Sequence, residues 1–309
     1  MAIVTKSLQS SIFSAGHRLI GVVQALRQTA IKHRSILLTL AMGIFFGGLF
    51  YSITQLNLSW SDVQLAPLLF LLLVMGPLTL VYSGINMQLM AKAISVRIGF
   101  LHSIKVSAYA QVAELLPLPG GAIVRTAALM KEGASTRESA TIVAGLALLW
   151  ISCAAVGGGV ALLSVRLVGE FLLVFGLVTV IATVFWLAKV ANWSIALYAL
   201  GLRALGLLLV ASRITIAFLV LNVTIDPIDA LAFGFAIILG SAAAIAPAGL
   251  GIGEALSALM AEPNGVAATA AFSAAAINRL AGFAVNMISI LFVSGFRFRL
   301  AMPGGPNDE

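Results

Sequence analysis

Charged side chains are scarce in this sequence, at 9% of its 309 residues, whereas soluble domains carry about one quarter. Apolar side chains make up 61% of the chain, and its mean hydropathy is +1.09. This composition excludes a soluble globular protein and indicates a polytopic membrane protein, built from membrane segments and short connections. We therefore expect one membrane domain and no soluble catalytic domain.

Groups that carry covalent or metal chemistry are also few. The single cysteine, Cys153, excludes an intrachain disulfide, and the three histidines, His17, His33 and His102, lack the spacing of metal ligands. The sequence holds no Gly-Lys-Ser/Thr phosphate loop and no Gly-x-Ser-x-Gly elbow, and Glu254 occupies the third glycine position of a dinucleotide fingerprint. We expect a protein that is not an enzyme and binds no metal and no cofactor.

Long apolar runs predict the architecture. Two apolar segments, at about 101–131 and 228–261, are interrupted by Pro and Gly, and we interpret each as a re-entrant helical hairpin that enters and leaves on one face. The prediction is an all-α polytopic membrane protein with six transmembrane helices and two hairpins in a single membrane domain, 36–296. A cytoplasmic or interfacial segment, 1–35, precedes this domain, and a cytoplasmic tail, 297–309, follows it. The six runs long enough for a spanning helix of about 20 residues are 36–56, 65–90, 140–165, 171–188, 204–223 and 266–296.

The positions of the basic residues predict the orientation in the membrane. With the amino terminus in the cytoplasm, the connections that hold Lys and Arg, Arg203 among them, fall inside, and only Arg166 falls outside. The net charge of +7 therefore reflects topology, and we expect no nucleic-acid partner. Both termini are predicted to be cytoplasmic, with the protein in the plasma (inner) membrane. The hairpins then enter from opposite faces, an inverted-repeat-like arrangement whose interface commonly holds a transporter's substrate.

The breaks within the two predicted hairpins have related compositions. The first reads Pro117-Leu-Pro-Gly-Gly-Ala-Ile-Val-Arg125, and the second reads Pro247-Ala-Gly-Leu-Gly-Ile-Gly-Glu254. Because lipid does not tolerate unpaired backbone, such a break must be buried in protein or line a wet cavity. We assign hinge or break roles to the prolines and glycines of both motifs, which are Pro117, Pro119, Gly120, Gly121, Pro247, Gly249, Gly251 and Gly253.

Five ionisable residues fall inside apolar segments: Glu114, Arg125, Arg213, Glu254 and Arg279. A charge at mid-bilayer costs roughly 2.5 to 3.5 kcal/mol, so five unpaired charges would cost on the order of 15 kcal/mol, comparable to the stability of a whole domain. They must be paired, hydrated in a cavity or close to an interface. Arg125 has the alternative of snorkelling to the cytoplasmic face, and Arg213 has that of neutralising Glu114 or Glu254.

Neutral polar residues extend this pattern along helix faces. Ser107, Gln111 and Glu114 are spaced i, i+4 and i+7, and Arg279 and Asn286 share one face of the last helix. Polar contacts between helices are one explanation for Gln111 and Asn286, and a substrate cavity is the other. For the glycine run at 157–159 we expect helix packing. The predicted substrate-binding set is Arg125, Glu254, Arg279, Arg213, Glu114, Gln111 and Asn286.

At these motifs the chain resembles the transmembrane region of lysylphosphatidylglycerol synthases and its stand-alone relatives, integral membrane proteins linked to lipid flipping. That family has a Pro-Gly element followed by an arginine, similar to residues 117–125, and a Pro-x-Gly-x-Gly-x-x-Glu element, similar to residues 247–254, with an arginine in the next helix, where Arg279 stands. The resemblance covers roughly residues 36–296. Members often have Gly-Glu shortly before the first arginine, whereas this chain has Ile123 and Val124, so an acidic role there requires Glu114. The resemblance implies a lipid-handling role without aminoacyl transfer, which belongs to a separate soluble domain of the full synthases.

The function that we expect is that of an integral membrane lipid translocase, flippase-like, which moves a phospholipid or other anionic lipid between leaflets. Arg125 and Arg279 would bind the phosphate by charge-assisted hydrogen bonds, and Glu254 would hold the arginines or bind a cationic headgroup group. One alternative is a secondary transporter of a small anionic solute, coupled to protons through Glu254 or Glu114. The other is a non-transporting membrane partner of a lipid- or glycan-modifying enzyme, with every buried charge paired. The sequence does not define an oligomeric state.

Overall fold

The computed structural model describes residues 34–56, 63–114, 119–242 and 249–300, and these residues form helices and short connections without a strand. A single 3-10 turn, Glu262–Asn264, lies between the last two helices. The ten helices in chain order are α1 (Arg34–Gln55), α2 (Leu65–Ala93), α3 (Phe100–Ala113), α4 (Gly120–Lys131), α5 (Thr136–Ala161), α6 (Arg166–Val190), α7 (Trp193–Val220), α8 (Asp229–Ala242), α9 (Ile252–Leu259) and α10 (Ala268–Leu300).

Five of these helices are long and apolar enough to cross a membrane: α2, α5, α6, α7 and the part of α10 from Ala268 to Phe292. They contain 25 to 29 residues, and at 1.5 Å per residue each reaches about 37 to 43 Å, more than a hydrocarbon core of about 30 Å. Large apolar side chains on their outer faces are exposed, such as Leu167 and Phe171 on α6 and Phe292 on α10. Such faces need lipid as their solvent, so the chain is an integral membrane protein.

The sixth predicted crossing, 36–56, coincides with α1, a helix of 22 residues that is not among those five. Helix α1 packs against α10, where Gly48 lies so close to the Phe272 ring that a methyl group would come within 2.5 Å of it. The predicted terminal segments, 1–35 and 297–309, lie almost wholly outside the described residues. The number of crossings therefore stays a prediction.

The first predicted hairpin corresponds to α3 and α4, two short helices that pack against each other. They contain 14 and 12 residues, or about 21 and 18 Å, so neither crosses a bilayer alone. Gly120 lies against the Ala113 carbonyl oxygen, and Gly121 lies against the Glu114 side chain and the Ala110 carbonyl. A larger residue at Gly120 or Gly121 would separate the arms. Pro119 is the N-cap residue of α4, and Pro117 lies outside the described residues.

The second predicted hairpin corresponds to α8 and α9, which contain 14 and 8 residues and also pack against each other. Gly249 and Gly251 have φ angles of +69° and +77°, a region that side chains with a Cβ rarely adopt. Gly240 and Gly253 bring the two backbones together, because a Cβ on Gly240 would lie 2.6 Å from the Gly253 Cα. The glycine pattern thus permits a close crossing of the two arms. Pro247 lies outside the described residues.

The two halves of the chain repeat one order of elements. Each has a long helix, two short packed helices and another long helix: α2 to α5 in the first half and α7 to α10 in the second, with α6 between them. The packing is reciprocal, because α5 lies against α8 and α10 lies against α3. The long helix that follows each hairpin therefore packs on the first arm of the other hairpin.

Two apolar cores hold these elements together. One lies between α2, α5, α6 and α7 and contains Met87, Leu146 and Leu187. The other lies between α7, α8 and α10, where the rings of Phe218 and Phe233 are 5.1 Å apart. Small residues allow the close approaches, and the expected packing role of 157–159 is confirmed, because each of these glycines contacts a neighbouring helix or its side chains. Since lipid is itself apolar, close packing and polar contacts supply much of the attraction between such helices.

Candidate functional site

The centre of the second half is an ion pair between Glu254 and Arg279. Glu254, in the first turn of α9, is fully buried, and its Oε1 accepts a hydrogen bond from Arg279 Nε on α10. Its Oε2 accepts a hydrogen bond from the Gly251 backbone N–H at 2.8 Å, so both carboxylate oxygens have donors. Arg279 Nη2 lies 3.5 Å from the Gly249 carbonyl oxygen. The expectation that embedded charges are paired holds for Glu254 and Arg279.

Glycines of the second motif leave room for this guanidinium. A Cβ at Gly253 would lie 2.7 Å from Arg279 Nη2, and Gly249 and Gly251 turn the backbone so that one carbonyl and one N–H face the pair. The spacing Gly-x-Gly-x-Gly-Glu therefore has a physical explanation. It places a carboxylate at the start of a helix and keeps side chains away from the cation that binds it.

Arg213 on α7 is held by neutral groups. Its Nε donates to Asn278 Oδ1 at 2.9 Å, its Nη2 donates to the Asn278 carbonyl at 3.0 Å, and its Nη1 donates to Thr79 Oγ1 at 3.1 Å. Thr79 in turn donates to the carbonyl of Met75, the last residue of a π-helical segment, Leu71–Met75, within α2. Such segments are often found where a helix supports a functional group.

The alternative in which Arg213 neutralises Glu114 or Glu254 is wrong. Within the described residues these carboxylates pair with Arg125 and Arg279, and the hydrogen bonds of Arg213 go to Asn278 and Thr79 instead. The reason is geometric, because both carboxylates already have a nearer guanidinium on an adjoining element. Arg213 therefore has no carboxylate partner in the described part of the chain.

The corresponding pair in the first half joins Glu114 to Arg125. Glu114 caps the end of α3, and its Oε1 accepts a hydrogen bond at 3.1 Å from Arg125 Nη2 on α4. Their side chains are 39% and 23% exposed, so this pair is partly open where the Glu254–Arg279 pair is closed. Glu114 is therefore the carboxylate that binds Arg125.

Gln111 and Asn286 take part in a chain of hydrogen bonds across three helices. Asn286 Nδ2 on α10 donates to Gln111 Oε1 at 2.6 Å, and Gln111 Nε2 donates to Ser83 Oγ on α2 at 2.8 Å. Ser107 Oγ donates to the Ser83 carbonyl. These contacts favour the explanation that Gln111 and Asn286 bind helices together, and they attach the first hairpin to α2 and α10.

Arg203 is buried and lies within α7, so the prediction that it belongs to a connection between helices is wrong. It is only 6% exposed and lies on α7 about 15 Å from the start of that helix. Helix α7 begins at Trp193, where the Asn192 side chain accepts a hydrogen bond from the Ile195 N–H, whereas the predicted span began at residue 204. Asn192 could have located Arg203 within a helix, because asparagine is strongly preferred as the N-cap residue of a helix.

The guanidinium of Arg203 lies 5.6 Å from the centroid of the Trp150 ring and within electrostatic range of Tyr82 and Arg125. Arg203 is thus near the Glu114–Arg125 pair, and Arg213 binds Asn278, the residue before Arg279 on α10. We name Glu114, Arg125 and Arg203 the first charge group and Glu254, Arg279 and Arg213 the second charge group. Each group carries a formal charge of +1. No cluster of three His, Cys, Asp or Glu side chains that would suit a metal ion occurs among the described residues.

An all-helical chain with five candidate spans and charges between its helices belongs to the class of polytopic integral membrane proteins. A comparison with models of known protein families finds no match, and a search of the curated proteins finds no relative. The resemblance to the lysylphosphatidylglycerol synthase transmembrane region therefore rests on the motif residues alone and stays a prediction.

Proposed function

We propose that this protein is a flippase-like lipid translocase that moves a phospholipid or another anionic lipid between membrane leaflets. The observation that carries the proposal is the excess of buried arginines: each carboxylate at the two short-helix pairs binds one arginine, and α7 adds the buried Arg203 and Arg213, which have no ion pair among the described residues. A purely structural use of charge would favour one-to-one pairing, because an unneutralised charge inside a membrane is expensive. The surplus positive charge suits an anionic headgroup.

The proposal includes a topology of six crossings and two re-entrant hairpins, with both termini in the cytoplasm of a plasma (inner) membrane. The lengths of α3, α4, α8 and α9 support it, because each is too short to cross. The order of elements supports an inverted repeat, since the single helix α6 between the halves reverses the direction of the second half. The reciprocal packing of α5 on α8 and of α10 on α3 agrees with this arrangement.

The proposed mechanism is an exchange of partners at the arginines. When a phosphate reaches the partly open first charge group, Arg125 exchanges its bond with Glu114 for a bond with the phosphate, and both are charge-assisted hydrogen bonds of similar strength. The free-energy cost of entry is therefore small. The acyl chains stay along the lipid-facing helices, and glycines such as Gly249 and Gly251 allow the hairpin backbone to move as the second charge group opens.

The alternative of a non-transporting membrane partner requires all buried charges to be paired. Arg203 disfavours it, since this buried residue makes no ion pair among the described residues and its Nε has no acceptor. Transport of a small anionic solute uses the same charges, and the experiment below separates it from lipid transport.

The test is transbilayer movement of fluorescent phosphatidylglycerol in proteoliposomes, followed by quenching with a membrane-impermeant reductant. We expect Arg125→Gln to slow movement about tenfold or more, because a hydrogen bond to a charged group contributes about 1.5 to 3 kcal/mol. The matched control is Arg166→Gln, which removes a charge from a side chain that is 90% exposed. Equal rates for wild type and Arg125→Gln would refute the role of Arg125, and uptake of soluble glycerol phosphate without lipid movement would favour the solute transporter.

A further inference from the structure

Arg203 differs from the other embedded charges because its buried Nε has no hydrogen-bond acceptor and the residue has no ion pair among the described residues. Glu114, Arg125, Glu254 and Arg279 are ion-paired, and Arg213 makes three hydrogen bonds. Within the described residues, Arg203 forms no ion pair, and its buried Nε has no acceptor at hydrogen-bonding geometry. Proteins rarely bury a hydrogen-bonding group of an ionised side chain without a partner.

The surroundings of Arg203 are built from several elements. The Trp150 ring of α5 faces the guanidinium, and the Tyr82 hydroxyl of α2 lies beside it. This hydroxyl is also buried, and neither its oxygen nor Arg203 Nε reaches a partner at hydrogen-bonding geometry. On α7, Gly206 leaves the space for the Tyr82 hydroxyl, which a Cβ at that position would meet. The Tyr82 hydroxyl is the neutral polar group closest in effect to the guanidinium, and its O–H and the Arg203 Nε–H both lack an acceptor at hydrogen-bonding geometry.

The nearest charges make this place electropositive. Arg125 repels Arg203 electrostatically, and Arg125 also forms an ion pair with Glu114. The Trp150 ring attracts the guanidinium through its π face, but it supplies no acceptor for Nε. An anion that enters beside Arg203 would complete its hydrogen bonds and neutralise the surplus charge of the first charge group.

We propose that Arg203 Nε and the Tyr82 hydroxyl, together with Arg125, bind the phosphodiester of an anionic phospholipid headgroup. This inference deepens the proposed function and rests on it for the lipid origin of the anion. A phosphodiester carries one negative charge, which equals the surplus of the first charge group. Its oxygens point in several directions and can accept from donors on α2, α4 and α7, whereas the two oxygens of a carboxylate lie in one plane.

A binding experiment that does not depend on transport tests this site. Native mass spectrometry of purified, delipidated protein measures binding of dioleoyl phosphatidylglycerol, with phosphatidylcholine, oleate and soluble glycerophosphoglycerol as comparison probes. We expect Arg203→Met to weaken phosphatidylglycerol binding about tenfold to a hundredfold and Tyr82→Phe to weaken it about threefold to tenfold. Preferential binding of phosphatidylglycerol supports the lipid source. Equal binding of glycerophosphoglycerol would assign the site to a soluble phosphodiester. Stronger binding of oleate would overturn the proposal that the site binds a phosphodiester.

Thermal unfolding of the same variants separates a binding role from a structural one. Because Arg203 has no ion pair and its Nε has no acceptor, Arg203→Met should leave the unfolding temperature unchanged or raise it, while phosphatidylglycerol should raise it in the wild type only. The matched control, Arg166→Met, should change neither binding nor unfolding. A lower unfolding temperature of Arg203→Met with unchanged lipid binding would overturn the inference.

The outcomes for Arg203 and for transport are distinguishable. Binding that depends on Arg203, without transbilayer movement in proteoliposomes, would keep this site and overturn the proposed function. Movement of lipid with binding that is unchanged in Arg203→Met would overturn this inference alone.

Discussion

Replacing Glu254 and Glu114 by glutamine applies one chemical change to two ion pairs that differ in exposure. Glu254→Gln leaves the Arg279 guanidinium, which is almost fully buried, without its counter-charge. Loss of one member of a buried pair costs about 3 to 5 kcal/mol. Glu114→Gln acts on side chains that are 39% and 23% exposed, where solvent screens the interaction and the expected loss is below about 1 kcal/mol. The predicted difference between the two variants is therefore about 2 to 4 kcal/mol.

The assay is reversible unfolding of the purified protein in mixed micelles, with helix content measured by circular dichroism as the denaturing detergent is increased. A double variant adds a control for the origin of the effect. Glu254→Gln combined with Arg279→Met removes both charges, and replacing a whole buried pair is often nearly neutral. The double variant should therefore be more stable than Glu254→Gln alone. Equal losses of stability in Glu254→Gln and Glu114→Gln would refute the conclusion that the second charge group is closed to solvent. A double variant less stable than Glu254→Gln would refute it as well.

Two further predictions concern the packing around these groups. Gly253→Ala should lower the free energy of unfolding by about 1 to 3 kcal/mol, because the new methyl group meets Arg279 Nη2. The control is Gly201→Ala, which is also inside a helix and has nothing within 4 Å of the new methyl group. Equal effects of the two changes in micelle unfolding would contradict the prediction. Asn286→Leu should cost about 1 to 3 kcal/mol, because it leaves Gln111 Oε1 without its donor. Pairing Asn286→Leu with Gln111→Leu should recover part of that loss, and a fully additive double variant would show that the two side chains do not interact.

Two general rules, on charges in lipid and on clustered glycines, predicted the main features of the second half of the chain. A carboxylate in an apolar run has to be paired, hydrated in a cavity or close to an interface, and Glu254 is paired with Arg279. Clustered glycines predict tight backbone turns, and Gly249 and Gly251 adopt positive φ angles. The first inference needs only the free-energy cost of a charge in lipid, and the second needs only the local sequence. The pairing of Glu114 with Arg125 also follows from closeness along the chain, since the two residues lie on adjoining arms.

The partners of Arg213 and the burial of Arg203 could not be obtained in this way. Arg213 binds groups on α2 and α10 that are 134 and 65 residues away in the sequence, and no local pattern indicates such a contact. Arg203 lies at the edge of an apolar run, so hydropathy alone could not distinguish a cytoplasmic anchor from a buried charge. The start of α7 at Trp193 decides between a cytoplasmic anchor and a buried charge, and the capping residue Asn192 sets this start.

The shared location of Arg203 and Arg213 on α7 has an electrical consequence. Ten residues separate them, or about 15 Å along one rigid helix, and neither has a carboxylate partner among the described residues. Moving one elementary charge across the full membrane voltage is worth about 2.3 kcal/mol per 100 mV. A 3 Å slide of α7 along the membrane normal would move two charges through about a tenth of the hydrocarbon thickness, which corresponds to roughly 0.5 kcal/mol per 100 mV. The resting potential of a cell would therefore bias any such slide in one direction.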